Sequence, residues 1–148
     1  MTVRPISPED PLFDQVGGLF DDYRAHYGQA RSPRATRRWL GEQVAGRRLR
    51  VAAAVDAGEA RGLITTTVIP ASLTLRTVWM IRDLYVDPAY RRTGVARALL
   101  GHVAEAARMD GAHRLSLQTE TGNATALRLY EAGGFRPVGG LELLNLTL

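Results

Sequence analysis

The sequence predicts a single α/β domain over residues 1–148, with a mixed, mainly antiparallel sheet of seven strands flanked by about four helices. Three observations lead there. Short β-branched or alternating runs recur between helical stretches in the order β-α-α-β-β-β-α-β-α-β-β. The segment Arg97–Met109 is clearly amphipathic, with Val95, Leu99, Leu100, Val103 and Ala107 on one face. A chain of 148 residues, 45% apolar and 23% charged, is long and apolar enough for one buried core and lacks the balance of a disordered polymer.

Each element has a local reason. Thr2–Ile6 reads as a short strand. Pro8–Tyr27 reads as helical because Leu12, Val16, Leu19, Phe20 and Tyr23 recur at helical spacing. Ser32-Pro33 is a good helix start, and a second helix runs to about Ala45. Leu49–Val55 is a strand, Asp56–Glu59 a turn and Ala60–Pro70 its hairpin partner. Residues 71–76 are a loop or an extension of a strand. Val78–Val86 is a strong strand that Asp87-Pro88 ends. Asp110-Gly111 stops the amphipathic helix, and Arg114–Thr119 alternates as a strand. Asn123–Ala132 is a short helix closed by Gly133-Gly134. Phe135–Val138 and Leu141–Leu148 supply two closing strands.

Composition limits the chemistry. There is no cysteine, so disulfides, a thiolate nucleophile and a cysteine-ligated metal are excluded. No spacing of His, Asp and Glu suggests a metal site. No apolar run approaches the roughly 20 residues that cross a bilayer, and Met1–Pro5 does not open a secretory signal. The expected location is cytoplasmic, without a membrane partner. A net charge of +4 and a pI of about 10.1 raise nucleic acid as a partner. The arginines are scattered, however. Arg31, Arg34, Arg37 and Arg38, then Arg47, Arg48 and Arg50, read as solvated helix faces and loop ends. No contiguous basic stripe appears, and nucleic acid is not expected.

Arg91 and Arg92 stand in a different context. Asp87–Ala96 follows a strong strand and opens a strong helix. The first amides of a helix lack internal acceptors, and the dipole there favours negative charge. Gly94 lets the backbone approach a ligand, and Ala96 keeps the next turn small. No Gly-Lys-Ser/Thr follows and the three-glycine dinucleotide pattern is missing, so the loop is neither of those phosphate motifs. A pyrophosphate suits it better than any other common ligand; the alternative is a basic turn followed by a capped helix.

Arg91-Arg92-Thr93-Gly94-Val95-Ala96 resembles the Arg/Gln-x-x-Gly-x-Gly/Ala signature of the GNAT superfamily of N-acetyltransferases. Asn123–Phe135 is similar to the Asn-x-x-Ala-x-x-Leu-Tyr-x-x-x-Gly-Phe block of that family, and Asp83–Pro88 resembles its central strand. The resemblance covers most of the chain from about Arg50 onwards; the first two helices match loosely. It implies the GNAT fold and direct acetyl transfer from acetyl-CoA to an amine, with no metal and no covalent enzyme intermediate. It implies that the amides of Arg92, Thr93, Gly94, Val95, Ala96 and Arg97 carry the coenzyme pyrophosphate, beside Arg91. The backbone of Leu84, Tyr85 and Val86 would pair with the pantetheine arm and supply an oxyanion-type donor. Asn123 would contact the arm, and Tyr130 would lie near the sulfur as the general acid, since an unperturbed tyrosine is protonated at neutral pH.

The base is less marked. Ribosomal-protein acetyltransferases of the family carry Glu where this chain has Gln118, and polyamine acetyltransferases carry Glu where it has Arg82. Glu120, Asp83 and His26 stay as candidates, as does a water chain. Tyr23, His26 and Tyr27, with Trp39 and the Gly139-Gly140 turn, would form the wall for the amine. Asp21 and Asp22 beside Phe20 and Tyr23 could hold a cation, but the preferred reading is an ordinary amphipathic helix with Phe20 and Tyr23 in the core. A small-molecule amine is the favoured substrate. Protein N-terminal or lysine acetylation and a non-catalytic acyl-CoA sensor are the alternatives. Leu141–Leu148 is a terminal strand able to pair in a homodimer.

Overall fold

The computed structural model describes residues 1–148, which form two compact units, Met1–Gln118 and Thr119–Leu148. The first holds β1 (Thr2–Pro5), α1 (Phe13–His26), α2 (Pro33–Ala45), β2 (Arg50–Asp56), β3 (Glu59–Ala71), β4 (Arg76–Val86), α3 (Val95–Met109) and β5 (Arg114–Ser116). The second holds α4 (Ala124–Ala132). Residues 71–76, left open between loop and strand, contain a single 3₁₀ turn at Ser72–Thr74.

The sheet runs β1-β2-β3-β4-β5. Its first three pairings are antiparallel and β4 with β5 is parallel, so the expected mixed, mainly antiparallel sheet is present. Strand alternation makes it a middle layer. Val51, Ala53 and Leu63 face a core built with Val16, Leu19, Phe20 and Leu40 from α1 and α2. The alternate residues Gly62 and Ile64 face the other way, and a Cβ placed on Gly62 would meet Val95 and Leu99 of α3. The buried side of α3 is Val95, Leu99, Leu100, Val103 and Ala107, the face its periodicity predicts. Each large apolar side chain fully buried there contributes roughly 2 kcal/mol.

A buried acid ties α1 to α2. Asp21 is 1% exposed and accepts from Thr36 Oγ1 at 2.7 Å, the Ser32 amide at 3.1 Å and Arg24 at 3.0 Å. Burial pushes its carboxyl up. The Thr36, Ser32 and Arg24 hydrogen bonds and the Arg24 charge outweigh that, and the net direction is below the ordinary carboxylate range. Asp22 pairs with Arg31. Both acids are therefore engaged within the helical layer, with Phe20 buried and Tyr23 packed on the core, which accords with an ordinary amphipathic helix rather than a cation site.

The sheet has five strands rather than seven. Phe135–Val138 and Leu141–Leu148 form no strand. The turn chemistry explains it. A two-residue hairpin needs positive φ at its first central residue or at both. Of Gly139 and Gly140, only Gly140 has it, at 77°. Pro137 also removes a ladder donor, and an isolated two-stranded ribbon is marginal in water.

Candidate active site

The site grows from an irregularity in β4. Asp83 pairs with Thr65 of β3 while Ile81 pairs with Thr66, so Arg82 is the extra residue of a bulge. On the opposite edge β4 pairs with β5 only at Val78, Trp79 and Met80. Beyond the bulge the strand continues to Val86 with no partner on that edge. Leu84, Tyr85 and Val86 thus lie on a half-paired strand, whose outward backbone groups, apart from the Val86 carbonyl that accepts from Arg91, are open to an added extended chain.

The chain then turns tightly. Asp87 accepts the Ala89 amide at 2.9 Å, and Tyr90 donates its amide to the Asp87 carbonyl at 2.8 Å. Thr93 Oγ1 donates to the Tyr90 carbonyl at 2.5 Å, and the Arg91 guanidinium donates to the Val86 carbonyl at 3.2 Å. Arg92 (φ 64°) and Gly94 (φ 89°) are left-handed, and Gly94 caps α3 with no side-chain partner. The amides of Arg92, Thr93, Gly94, Val95, Ala96 and Arg97 have no acceptor in the chain; the first bond into α3 is Ala98 to Gly94 at 3.0 Å. Six consecutive N–H groups at a helix start, flanked by exposed Arg91, Arg92 and Arg97, suit a diphosphate.

Two residues that sequence reasoning missed hold this loop. Arg61 on β3 lies with its guanidinium 4.0 Å from the Tyr90 ring centroid and donates to the Tyr90 hydroxyl. It also pairs with Glu59 at 2.7 Å, and its carbonyl accepts the Asp87 amide at 2.9 Å. A Cβ at Gly62 would come within 2.8 Å of the Tyr85 carbonyl and 3.0 Å of Val95. Only glycine lets β3, β4 and the start of α3 approach so closely. Neither role has a local sequence signal, because both partners are more than twenty residues away.

An aromatic row joins α1 to the strand. His26 meets Tyr27 edge-on at 5.2 Å, Tyr27 meets Tyr23 at 5.2 Å and Tyr23 meets Tyr85 at 6.0 Å between centroids. Arg91 lies 5.6 Å from the Tyr85 ring. The predicted wall residues Tyr23, His26 and Tyr27 are brought together, and Tyr85 joins them from β4. Trp39 stacks on Phe20 at 6.1 Å, one step further back. Asp83, half-buried on the same face of β4 as Tyr85, accepts from Thr65 Oγ1.

Asn123, Tyr130 and Glu120 belong to the second unit. Asn123 caps α4, its Oδ1 accepting the Ala126 amide at 3.2 Å. Tyr130 is half-buried and packs on Phe135 at 5.9 Å. Glu120 is exposed, and its carbonyl accepts the Asn123 amide at 3.1 Å. No group of three His, Asp or Glu residues is placed to hold a metal, and no helix is long and apolar enough to cross a membrane.

A helix start of unpartnered amides beside a half-paired strand has the chemistry that a ligand with a diphosphate and an extended arm would need. The chain belongs to the Acetyltransferase (GNAT) family, whose sequence profile matches residues 16–135. It is 29% identical over 135 residues to the uncharacterized N-acetyltransferase YhfO of Bacillus subtilis (strain 168), covering 91% of this chain and 89% of that protein. A crystal structure described as a probable acetyltransferase matches 100% of this chain and 98% of its own at a TM-score of 0.93 and 28% identity. Over 53 residues, 36% of each chain, the sequence is 42% identical to the ribosomal protein bS18-alanine N-acetyltransferase of Escherichia coli (strain K12). The protein is accordingly an acyl-CoA-dependent acetyltransferase of the GNAT fold.

Proposed function

We propose that the protein acetylates a primary amine of a small molecule by direct transfer, with Tyr130 as the general acid. The observation that carries the reading is the run of six acceptor-less amides from Arg92 to Arg97, next to the open edge of β4. Acetyl-CoA supplies the activated thioester. The loop amides and Arg91 or Arg92 bind its diphosphate, and the outward backbone of Leu84–Val86 pairs with its arm. An amide of that strand polarises the carbonyl, a contact that strengthens as negative charge develops on oxygen.

The amine approaches along Tyr23 and Tyr27, whose rings favour a cation before it loses its proton, with His26 at the end of the row and Tyr85 buried behind it. Asp83, on the face of Tyr85 and held by Thr65, is assigned to receive that proton, directly or through water. Glu120 is the second candidate for this step. Tyr130 is assigned to protonate the departing thiolate on its place in the Asn123–Phe135 block, where Asn123 contacts the arm. The proposed setting is the cytoplasm. Exposed Leu141, Leu143, Leu144, Leu146 and Leu148 support assembly as a homodimer.

Transfer to a protein N-terminus is the second reading, favoured by the 53 residues shared with the bS18-alanine enzyme. Gln118 and Arg82 stand against carrying over ribosomal-protein and polyamine substrates, respectively. Free-thiol release from acetyl-CoA, measured against a panel of small amines and alanine-started peptides, separates the readings. Turnover on small amines is expected. Turnover on peptides alone would replace the substrate class, and no thiol release with any acceptor would turn the site into a sensor.

A further inference from the structure

A cavity of about 530 Å³ lies at the other end of the sheet, on the α3 face. Ile64 and Val68 of β3 and Trp79 of β4 line it from the sheet, and Val103 and Ala106 line it from α3. At 1.5 Å per residue, the α3 residues of this cavity stand roughly 12–18 Å along the helix from Gly94. It is therefore separate from the diphosphate loop.

Its polar side is one-signed. Arg47, Arg48 and Arg50 line it and are exposed, no Asp or Glu lines it, and none of the three joins an ion pair. His102 adds a further nitrogen-bearing ring. Two of the arginines are held rather than loose. Arg50 lies 4.6 Å over the Trp79 ring, and the Trp79 indole donates to Asp110 at 3.0 Å. Arg48 donates to Gln43 at 2.7 Å. Arg47 adopts φ 56°, an uncommon conformation for a non-glycine residue.

We propose that this cavity binds a small amphipathic carboxylate, with its apolar body on Leu49, Val68 and Ala106, above the buried Ile64, Trp79 and Val103, and its carboxylate on Arg47 and Arg50. A guanidinium matches a carboxylate in a two-bond fork, and an apolar floor excludes water from the rest of the ligand. A cavity of this size with three unpaired guanidiniums at its mouth otherwise collects like charge without compensation.

The probe is decanoate, titrated calorimetrically into the protein saturated with CoA. Saturable binding of one decanoate per chain, with decan-1-ol at least tenfold weaker, is the expected result. Arg50→Ala should weaken decanoate at least tenfold, and Ala106→Leu, which fills the cavity with a good helix former, should abolish binding. CoA affinity should be unchanged in both variants and reports that they are folded; if Arg50→Ala loses it, Ala106→Leu carries the test. Three results would each overturn the proposal: no decanoate binding at millimolar concentration, equal binding of decan-1-ol, or wild-type decanoate binding by Ala106→Leu. Displacement of decanoate by CoA would equally reject a separate site.

Discussion

Tyr130 and Asp21 show how differently two polar side chains of this protein earn their places. Tyr130→Phe removes only a hydroxyl, and the ring keeps its edge contact with Phe135. Turnover should fall by about 10²-fold while acetyl-CoA affinity holds, the expectation for a lost general acid. Steady-state kinetics paired with a CoA titration reads both quantities, and unchanged turnover would take the acid role away from Tyr130. Asp21→Asn acts on the fold. The folded carboxyl lies below its unfolded value, so its stabilisation is complete above about pH 4 and fades as pH falls through the folded value. The variant should lose roughly 2 kcal/mol at pH 7, because Thr36, Ser32 and Arg24 keep donors without an ionised acceptor. Urea denaturation should show the gap from wild type closing in acid. A gap independent of pH would contradict the assigned cause.

The loop between β4 and α3 depends on backbone shape more than on side chains. Gly94 sits at φ 89°, and nothing in the chain lies within 4 Å of a Cβ placed there. Strain, not internal crowding, is what a larger residue brings. Gly94→Val should cost about 1–2 kcal/mol and weaken acetyl-CoA at least tenfold. Gly94→Asn, which tolerates the left-handed region, should retain more stability. Equal acetyl-CoA affinity of wild type and Gly94→Val would remove the diphosphate from this loop. Gly62 is the opposite case. Its φ is ordinary, but a Cβ would meet the Tyr85 carbonyl at 2.8 Å. Gly62→Ala should destabilise by roughly 1–3 kcal/mol through overpacking and shift the end of β4. Thermal denaturation checks the first effect and a CoA titration the second.

Binding and folding are linked across the chain. A ligand that grips β4 and the first turn of α3 stabilises every element packed on them. At a hundredfold excess over its dissociation constant, acetyl-CoA should add about 2.7 kcal/mol, a rise in Tm of roughly 5–10 °C. Differential scanning fluorimetry measures it, and a flat response would break the link between this fold and the coenzyme.

Much of this was legible before any coordinate, and for a consistent reason. Helix periodicity, the Asp87-Pro88 stop and the Gly94 cap are short-range signals, carried by residues within a few positions of each other. They place α3, its buried face and the loop at its start. The two motif blocks add the family for the same reason, since each is contiguous. The bulge at Arg82, the early end of the β4–β5 ladder, and the hold of Arg61 and Gly62 on the loop are pairings between distant segments, which local pattern does not encode. The same is true of Asp21, whose place beside Asp22 and two aromatic rings leaves an amine site open until Thr36 and Ser32 fold onto it. The C-terminal leucines alternate as in a strand from Leu144 to Leu148. A strand exists only where a neighbouring backbone completes its hydrogen bonds, and Phe135–Leu148 lacks one.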